Sequence, residues 1–278
     1  MASSVVVTGG QGRIGRLLVR DLRDREVRVV SLARSHDDHP HPDDVAVDLL
    51  DADAVRAAVV ESGADVLVHL ASVLRGDALE QQNDRIDRAV AGAVRAAGIA
   101  HVVHASSGAV YGVRAETARD ELSPIDATSP YARSKLAAER LFTELVEHEG
   151  TRSVISLRIF NVAGAAFEDS LVHRILHAHP SQPVPLLAPD HFVRDYIHQD
   201  DLVDVLRAAI DSRTPGAHVV NVGAGIAVST RMLLEEFGTD PSLVQEKAGD
   251  PSSNWADITR LGRLLGVTPR AVPDRTWA

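Results

Sequence analysis

The segment Tyr131-Ala132-Arg133-Ser134-Lys135 carries two side chains that could do acid–base chemistry. Tyr131 and Lys135 are four residues apart, and on a helix that spacing puts both side chains on one face. The ammonium of Lys135 would lie near the phenol of Tyr131 and lower its pKa by favouring the phenolate. Such a tyrosine can pass a proton to or from a carbinol oxygen. Tyr-x-x-x-Lys is also common on ordinary helices, so the pair alone decides nothing.

Two hydroxyl residues, Ser106 and Ser107, follow the apolar run that begins at His101. In a parallel sheet this is the end of a strand, where ligands bind. The hydroxyl of Ser107 could hold the oxygen of a substrate. A helix cap or a turn is the alternative role for such a pair.

A glycine-rich turn, Thr8-Gly9-Gly10-Gln11-Gly12-Arg13-Ile14-Gly15, joins the apolar run 5–7 to an amphipathic stretch. Gly9 allows a tight turn, Gly12 lets backbone N–H groups approach a pyrophosphate, and Gly15 lets helix and strand pack closely. Because the turn lies between a strand and a helix, it predicts a dinucleotide site that includes Arg13 and Ile14. A plain glycine turn is the alternative.

Apolar runs alternate with helix-period patterns along the chain. The runs predict strands at 27–32, 66–69, 101–106, 154–159 and 218–222, and the patterns predict helices at 13–23, 52–62, 84–97, 131–148, 201–211 and 229–237. This alternation is typical of an α/β fold with a doubly wound parallel (Rossmann) sheet. Its ligands bind at the carboxyl ends of the strands.

The alternation loosens from about residue 163, where four prolines follow between residues 180 and 189. We therefore expect a dinucleotide-binding domain over 1–162 and a small substrate lobe over 163–278. The helices and strands expected at about 196–228 would return to the large sheet, so the lobe is interleaved with it.

Composition excludes several classes of protein. The net charge of −10 argues against a nucleic-acid surface. The chain has no cysteine, which removes disulfides, thiolate metal sites and a cysteine nucleophile. It also has no apolar run long enough for a membrane span. Because the sequence passes directly into its first strand with no room for a signal peptide, we expect a cytoplasmic protein.

Together these motifs resemble the extended short-chain dehydrogenase/reductase superfamily, in its nucleotide-sugar epimerase/dehydratase branch. The resemblance implies a nicotinamide cofactor and a sugar whose reacting hydroxyl meets Ser107 and Tyr131. It also implies that Lys135 meets the nicotinamide ribose. The other motifs that carry it are Asp48-Leu49, Leu70-Ala71-Ser72 after His69, Asn83, the run from His104 to Gly112, and Leu157 to Val162. By resemblance Asp48 and Leu49 would lie at the adenine. The segment Leu70-Ala71-Ser72 would lie along the cofactor, and Phe160 and Val162 would lie at the nicotinamide.

Three further residues resemble the family's sugar-nucleotide contacts. Arg194, in Arg194-Asp195-Tyr196-Ile197-His198, would bind the diphosphate, and Asn161 would lie beside it. Lys247 stands where a second phosphate-binding arginine is usual, and it offers a point charge instead of a bidentate fork. The alternative for Arg194 is an ion pair with Asp195 or Asp200.

NAD-binding sites usually have an acidic residue after the second strand, where it binds the ribose hydroxyls. In this chain that position is occupied by Ala33-Arg34. A guanidinium suits a ribose 2′-phosphate, which favours NADP over NAD. The segment 36–41, His-Asp-Asp-His-Pro-His, could suggest a metal. Because the chemistry needs none, a solvated loop is the better interpretation and we expect no metal site.

Dehydratases of this branch carry Asp-Glu directly after the catalytic hydroxyl residue, where this chain has Gly108-Ala109. Without that acid–base pair, loss of water from the sugar is disfavoured. The first expectation is therefore NADPH-dependent reduction of a 4-keto sugar nucleotide. A 4-epimerase that retains NAD is the second, and a non-catalytic dinucleotide sensor is the third.

The helices expected at 84–97 and 131–148 resemble the pair through which family members dimerise. Small residues would permit the close contact between chains, namely Ala89, Gly92, Ala93 and Ala137. Packing against the sheet is their alternative role. We expect a homodimer.

Overall fold

The computed structural model describes residues 4–36, 40–148, 150–270 and 272–277. Numbered along the chain, its strands are β1 (Ser4–Thr8), β2 (Arg28–Ala33), β3 (Asp44–Ala46), β4 (Val66–His69), β5 (His101–Ser107), β6 (Ser153–Ile159), β7 (Asn161–Ala163), β8 (Val184–Leu187), β9 (Phe192–Arg194), β10 (Tyr196–His198), β11 (Gly216–Val222), β12 (Val228–Ser229), β13 (Val244–Lys247) and β14 (Ser252–Asn254). The α-helices are α1 (Arg13–Asp24), α2 (Ala52–Ser62), α3 (Leu79–Ala97), α4 (Pro130–His148), α5 (Leu171–Leu176), α6 (Gln199–Ser212), α7 (Thr230–Glu236) and α8 (Thr259–Leu265).

A seven-stranded sheet with the order β11-β6-β5-β4-β1-β2-β3 forms the centre of the fold. Every neighbouring pair in it is parallel. Its central strands are apolar and buried on both faces, because helices cover each side. Apolar side chains of α1, α6 and α8 pack on one face, and those of α2, α3 and α4 pack on the other. The predicted doubly wound parallel sheet is confirmed.

The predicted bounds of the helices and strands lie within two residues of the observed ones, with one exception. Helix α3 begins five residues before its predicted start at residue 84. Its first turn, Leu79-Glu80-Gln81-Gln82, has good helix formers but only one apolar residue. Leu79 is the buried residue of that turn. The hydrophobic period on which the prediction relied is therefore absent from it.

The part of the chain that follows β6 contains three small sheets, with the strand orders β10-β7, β12-β9-β14 and β13-β8. Its apolar core includes Val172 of α5, Leu233 of α7 and Trp277 near the end of the chain. The Trp277 ring meets the His198 ring edge-on, with 5.0 Å between centroids. Between the small sheets, α6 and β11 return to the large sheet.

Two of the small residues expected at a dimer contact take their alternative role. Ala89 and Ala93 are buried among the apolar side chains between the sheet and its helices. Ala137 is exposed, and a Cβ added to Gly92 would meet nothing within 4 Å. Homodimerisation stays a prediction. Among the described residues, no helix is both long and apolar enough to cross a membrane.

Candidate active site

The glycine turn between β1 and α1 leaves no room for side chains. Gly9 has φ +74°, and a Cβ on it would lie 2.8 Å from the backbone nitrogen of Ala71. A Cβ on Gly15 would overlap the carbonyl oxygen of Gly9. The N-cap residue of α1 is Gly12, which makes no side-chain cap hydrogen bond, and the first turn has no acidic residue. The helix start can therefore accept an anion, as a bound pyrophosphate requires.

Arg34 follows directly after β2 and is exposed. Within the described residues it makes no ion pair. Asp48 is also exposed, and its Oδ1 accepts a hydrogen bond from the backbone N–H of Leu50 at 3.0 Å, while Leu49 is buried. Of the segment 36–41, positions 37–39 lie outside the described residues. The His36 ring is 3.2 Å from the Gln11 side chain and 3.6 Å from Asp44.

The three predicted catalytic side chains come together where β5 ends and α4 begins. The Ser107 side chain lies close enough to the Tyr131 phenol to affect its pKa, and the Ser107 hydroxyl accepts from the N–H of Ala109 at 3.2 Å. Lys135 is 5 % exposed, and its Nζ lies 5.8 Å from the centre of the Tyr131 ring. The structure thus brings a phenol, a hydroxyl and a cation together, and their catalytic roles stay a prediction.

The protonation of this cluster differs in one respect from the sequence-based expectation. Burial raises the pKa of Tyr131 above its usual value, and the Ser107 side chain opposes that rise. Sequence reasoning predicted a lowered value. Burial also lowers the pKa of Lys135, while the carboxylates of Asp87 and Glu139 oppose that change. Desolvation of both groups, which the helix spacing does not reveal, explains the difference.

Phe160 occupies the space beside the residue that follows Ser107. A Cβ on Gly108 would lie 2.8 Å from the Phe160 ring. That ring is also stacked on Tyr111, with 6.3 Å between centroids. Val162, two residues further on, is partly buried in the short strand β7. The structure therefore gives a steric reason for the glycine at position 108.

The segment directly after β4 lies near the glycine turn that joins β1 to α1. It contains Leu70, Ala71 and Ser72. The N–H of Leu70 donates to the carbonyl oxygen of Thr8 at 3.1 Å. Ala71 packs against Gly9. These three residues therefore lie beside the glycine turn, where the resemblance places the cofactor.

Arg194 is held by backbone and hydroxyl groups. Its Nη1 donates to the carbonyl oxygens of Val193 at 2.8 Å and Ser252 at 2.9 Å, and its Nη2 donates to the Ser252 hydroxyl at 2.7 Å. The guanidinium also lies over the Phe192 ring, 3.9 Å from its centre. Neither Asp195 nor Asp200 pairs with it in the described structure. The ion-pair alternative for Arg194 is therefore wrong.

Asp195 fixes the strands around Arg194. Its buried carboxylate accepts hydrogen bonds from the N–H groups of Ala224, Gly225 and Ala256. The side-chain amide of Asn161 donates to the backbone oxygen of Asp195 at 2.8 Å, which places Asn161 beside the residue that follows Arg194. Lys247 is exposed at the end of β13, opposite Leu187. No hydrogen bond or ion pair of the described residues joins Lys247 to Arg194 or Asn161.

Sequence reasoning missed a buried ion pair behind the catalytic cluster. Arg158 donates from Nε and Nη2 to the Glu139 carboxylate at 2.9 and 2.7 Å, and from Nη1 to the Tyr111 hydroxyl at 2.7 Å. The Ser106 hydroxyl donates to the same carboxylate. A charged residue inside β6, a strand without any other charged residue, was the signal that could have revealed it.

Comparison with known proteins agrees with this geometry. The model of the NAD dependent epimerase/dehydratase family matches residues 5–223. The chain belongs to this family. Its fold and its motifs are those of the extended short-chain dehydrogenases that act on nucleotide sugars.

Individual relatives of this family member span nearly its whole length. A UDP-glucose 4-epimerase of Azospirillum brasilense is 29% identical, with 96% of this chain and 87% of the relative covered. A dTDP-6-deoxy-L-talose 4-dehydrogenase (NAD(P)(+)) of Kitasatospora kifunensis is 32% identical, with 96% and 91% covered. The structure of MoeE5 in complex with UDP-glucose and NAD superimposes with a TM-score of 0.83 at 29% identity, covering 99% of this chain and 95% of MoeE5.

Proposed function

We propose that this family member is a nucleotide-sugar 4-epimerase. The observation that carries the proposal is the cluster of Ser107, Tyr131 and Lys135 at the carboxyl end of β5, on the same edge of the parallel sheet as the glycine turn after β1. Sequence analysis put reduction of a 4-keto sugar first. The UDP-glucose 4-epimerases among the relatives, together with the NAD in the MoeE5 complex, now favour epimerisation.

The reaction assigns one task to each side chain. Ser107 hydrogen-bonds the oxygen on the sugar C4 and holds it towards Tyr131. Tyr131 as phenolate takes the proton of that hydroxyl, the C4–H bond breaks as the carbonyl forms, and the Tyr131 hydroxyl returns the proton when the carbonyl is reduced on its other face. Lys135 as ammonium favours the phenolate. A bound nicotinamide dinucleotide supplies the hydride acceptor and donor.

Dehydration of the sugar is not part of the proposal. By resemblance, a dehydratase carries an acid and a base at the two positions that follow Ser107. In this chain those positions hold Gly108 and Ala109. The Phe160 ring fills the place where a side chain at position 108 would stand. Elimination of water therefore has no proton carrier there.

A second candidate, NADPH-dependent reduction of a 4-keto sugar nucleotide, is favoured by two observations. Arg34 is exposed at the end of β2, where no carboxylate stands. The relative of highest identity among those compared above is a 4-dehydrogenase whose name includes NAD(P)(+). Both reactions use the same three side chains. In the epimerase the hydride taken from the sugar returns to that sugar, whereas in the reductase it comes from NADPH.

One assay separates the two candidates. The full chain is incubated with UDP-glucose and a trace of NAD, and the sugar is analysed while the nicotinamide absorbance is followed. An epimerase forms UDP-galactose with no net change in absorbance. If the chain instead leaves UDP-glucose unchanged and consumes NADPH in proportion to an added 4-keto sugar nucleotide, the epimerase proposal is wrong and the reductase is supported.

The cofactor preference is tested by Arg34→Ala. If Arg34 binds the 2′-phosphate, its removal takes away charge-assisted hydrogen bonds of about 1.5–3 kcal/mol, so NADP affinity should fall by about 10- to 100-fold. NAD affinity should stay within about twofold, because NAD lacks that phosphate. Titration calorimetry measures both, with Arg56→Ala, an exposed change on α2, as control. Equal losses for both cofactors would reject the contact.

The substrate class is tested by Arg194→Ala. A cation that pairs with the diphosphate contributes binding energy shared by the ground and transition states, so KM for the nucleotide sugar should rise about 10- to 100-fold with kcat within about threefold. Steady-state kinetics measure this split, with the exposed Arg263→Ala on α8 as control. An unchanged KM, combined with efficient turnover of a free sugar, would contradict the assignment.

The remaining contacts rest on resemblance and stay proposals. We propose that Asn161 and Lys247 meet the sugar nucleotide beside Arg194. We also propose that Asp48, Leu49 and the segment 70–72 line the cofactor. The same holds for Arg13 and Ile14 at the glycine turn, for Phe160 and Val162 at the nicotinamide, and for the homodimer.

A further inference from the structure

A buried chain of hydrogen bonds runs from the end of β1 to α3, and no step proposed above uses it. The Thr8 hydroxyl lies 2.6 Å from Nδ1 of His69, and Nε2 of His69 lies 2.8 Å from Oδ1 of Asp87. Thr8 and His69 are fully buried, and Asp87 is 6 % exposed. A carboxylate this deep needs a function or a partner, because burying a charge is costly.

One tautomer of His69 satisfies every group in this chain of hydrogen bonds. A neutral His69 with its proton on Nε2 donates to Asp87 and accepts the Thr8 hydroxyl proton at Nδ1. Each of the three groups is then satisfied. In this tautomer the histidine carries no charge, so the Asp87 carboxylate has no cation within the chain of hydrogen bonds.

The fold places Asp87 near enough to Lys135 that its carboxylate opposes the lowering of the Lys135 pKa by burial. Asn83 and Asp87 are four residues apart on α3 and therefore share one face. The side-chain amide of Asn83 donates to the hydroxyl of Ser134 at 3.1 Å, and Ser134 directly precedes Lys135 on α4. Asp87 thus lies one turn along α3 from the contact that holds this part of α4.

The other charged and titratable groups around Lys135 do not balance its ammonium. His104 on β5 is fully buried, its pKa lies well below the usual value because of burial, and its ring stacks on His69 at 5.9 Å. Tyr131 lies one turn before Lys135. Glu139 on α4 also opposes the lowering of the Lys135 pKa, but less than Asp87 does, and it pairs with Arg158 of β6. Among the described residues Asp87 pairs with no lysine or arginine, and its side-chain partner is His69, which carries no charge in the tautomer described above.

We propose that Asp87, held in place by His69 and Thr8, is a positioning residue that keeps Lys135 protonated. This rests on the proposed function, in which the Lys135 ammonium supports the phenolate of Tyr131. The negative charge of Asp87 offsets the loss of solvent around the ammonium. Asp87 itself touches no reacting atom.

The composition of the chain permits a direct test, because Lys135 and Lys247 are its two lysines. Lysine labelled at Cε gives two nuclear magnetic resonance signals in the full-length protein, and Lys247→Arg assigns them. The pH at which each lysine loses its proton is then read separately. The exposed Lys247 is an internal reference.

In Asp87→Asn we expect the titration midpoint of Lys135 to fall by about one pH unit or more, while that of Lys247 stays in place. Asp87→Thr, which keeps a group that can accept from His69, should give the same shift. The control is Asp84→Asn on the same helix, where the exposed carboxylate pairs with Arg88. It should move neither midpoint.

A folded Asp87→Asn or Asp87→Thr protein whose Lys135 midpoint is unchanged or raised would overturn the proposal. Circular dichroism shows whether each variant is folded, and the two variants differ enough in shape that one can replace the other. The titration needs no substrate, so its outcome is independent of the proposed reaction. Failure of the reaction would show instead in the epimerase assay.

Discussion

Tyr131→Phe is expected to lower turnover of a nucleotide sugar by about two to four orders of magnitude. The substitution removes the hydroxyl that exchanges a proton with the sugar oxygen and leaves the ring in place. Cofactor affinity should change little, because the phenol contributes proton transfer more than binding. Turnover is measured with saturating nucleotide sugar, and cofactor affinity by titration calorimetry.

The matched control for this change is Tyr111→Phe. Like Tyr131, Tyr111 is a tyrosine with little exposed surface. Its hydroxyl accepts a hydrogen bond from Arg158 and donates one to the side-chain oxygen of Asn221 at 2.8 Å. Its loss leaves buried polar groups unpaired and should cost about 1–3 kcal/mol of stability. Turnover should stay within about threefold. A Tyr131→Phe enzyme that keeps most of its activity would show that another group carries the proton.

The elements whose signal is local were predictable from the sequence. The glycine turn, the apolar strands and the spacing of Tyr131 and Lys135 each depend on residues close together in the chain. Ser107 needed one further step, because its use follows from the rule that ligands bind where parallel strands end. Together these features predict the candidate catalytic cluster from the sequence.

What the sequence could not provide are the contacts between distant residues. Phe160 is 52 positions from Gly108, and nothing in either segment indicates that the ring fills the space beside that glycine. His69 and Asp87 lie on different elements, a strand and a helix, so their hydrogen bond depends on the packing of α3 against the sheet. The raised pKa of Tyr131 likewise depends on burial by several elements. Packing decides each of these features.

Arg158 and Glu139 illustrate how such a contact governs stability. Both side chains are about 6 % exposed, and their two hydrogen bonds join β6 to α4 behind the catalytic cluster. Within this network the Glu139 charge raises the pKa of Arg158 despite burial, which opposes ionisation. Removing one partner would leave the other charge buried without compensation.

Glu139→Gln is therefore expected to lower the free energy of unfolding by about 3–5 kcal/mol. At roughly 2–4 °C per kcal/mol for a chain of this size class, Tm should fall by roughly 6–20 °C. Calorimetry and denaturant unfolding measure both quantities. The control is Glu80→Gln, which breaks an ion pair with Arg133 at 2.8 Å on the surface and should leave Tm almost unchanged because water already solvates both charges.

The double variant Glu139→Gln with Arg158→Met isolates the cause. If the cost comes from an uncompensated buried guanidinium, removing that charge as well should recover part of the lost stability, because an apolar side chain can replace a buried ion pair at little cost. The two changes would then be strongly non-additive. Additive losses in the double variant, or a single variant as stable as the native chain, would mean that shape and packing, and not this charge pair, hold α4 against β6.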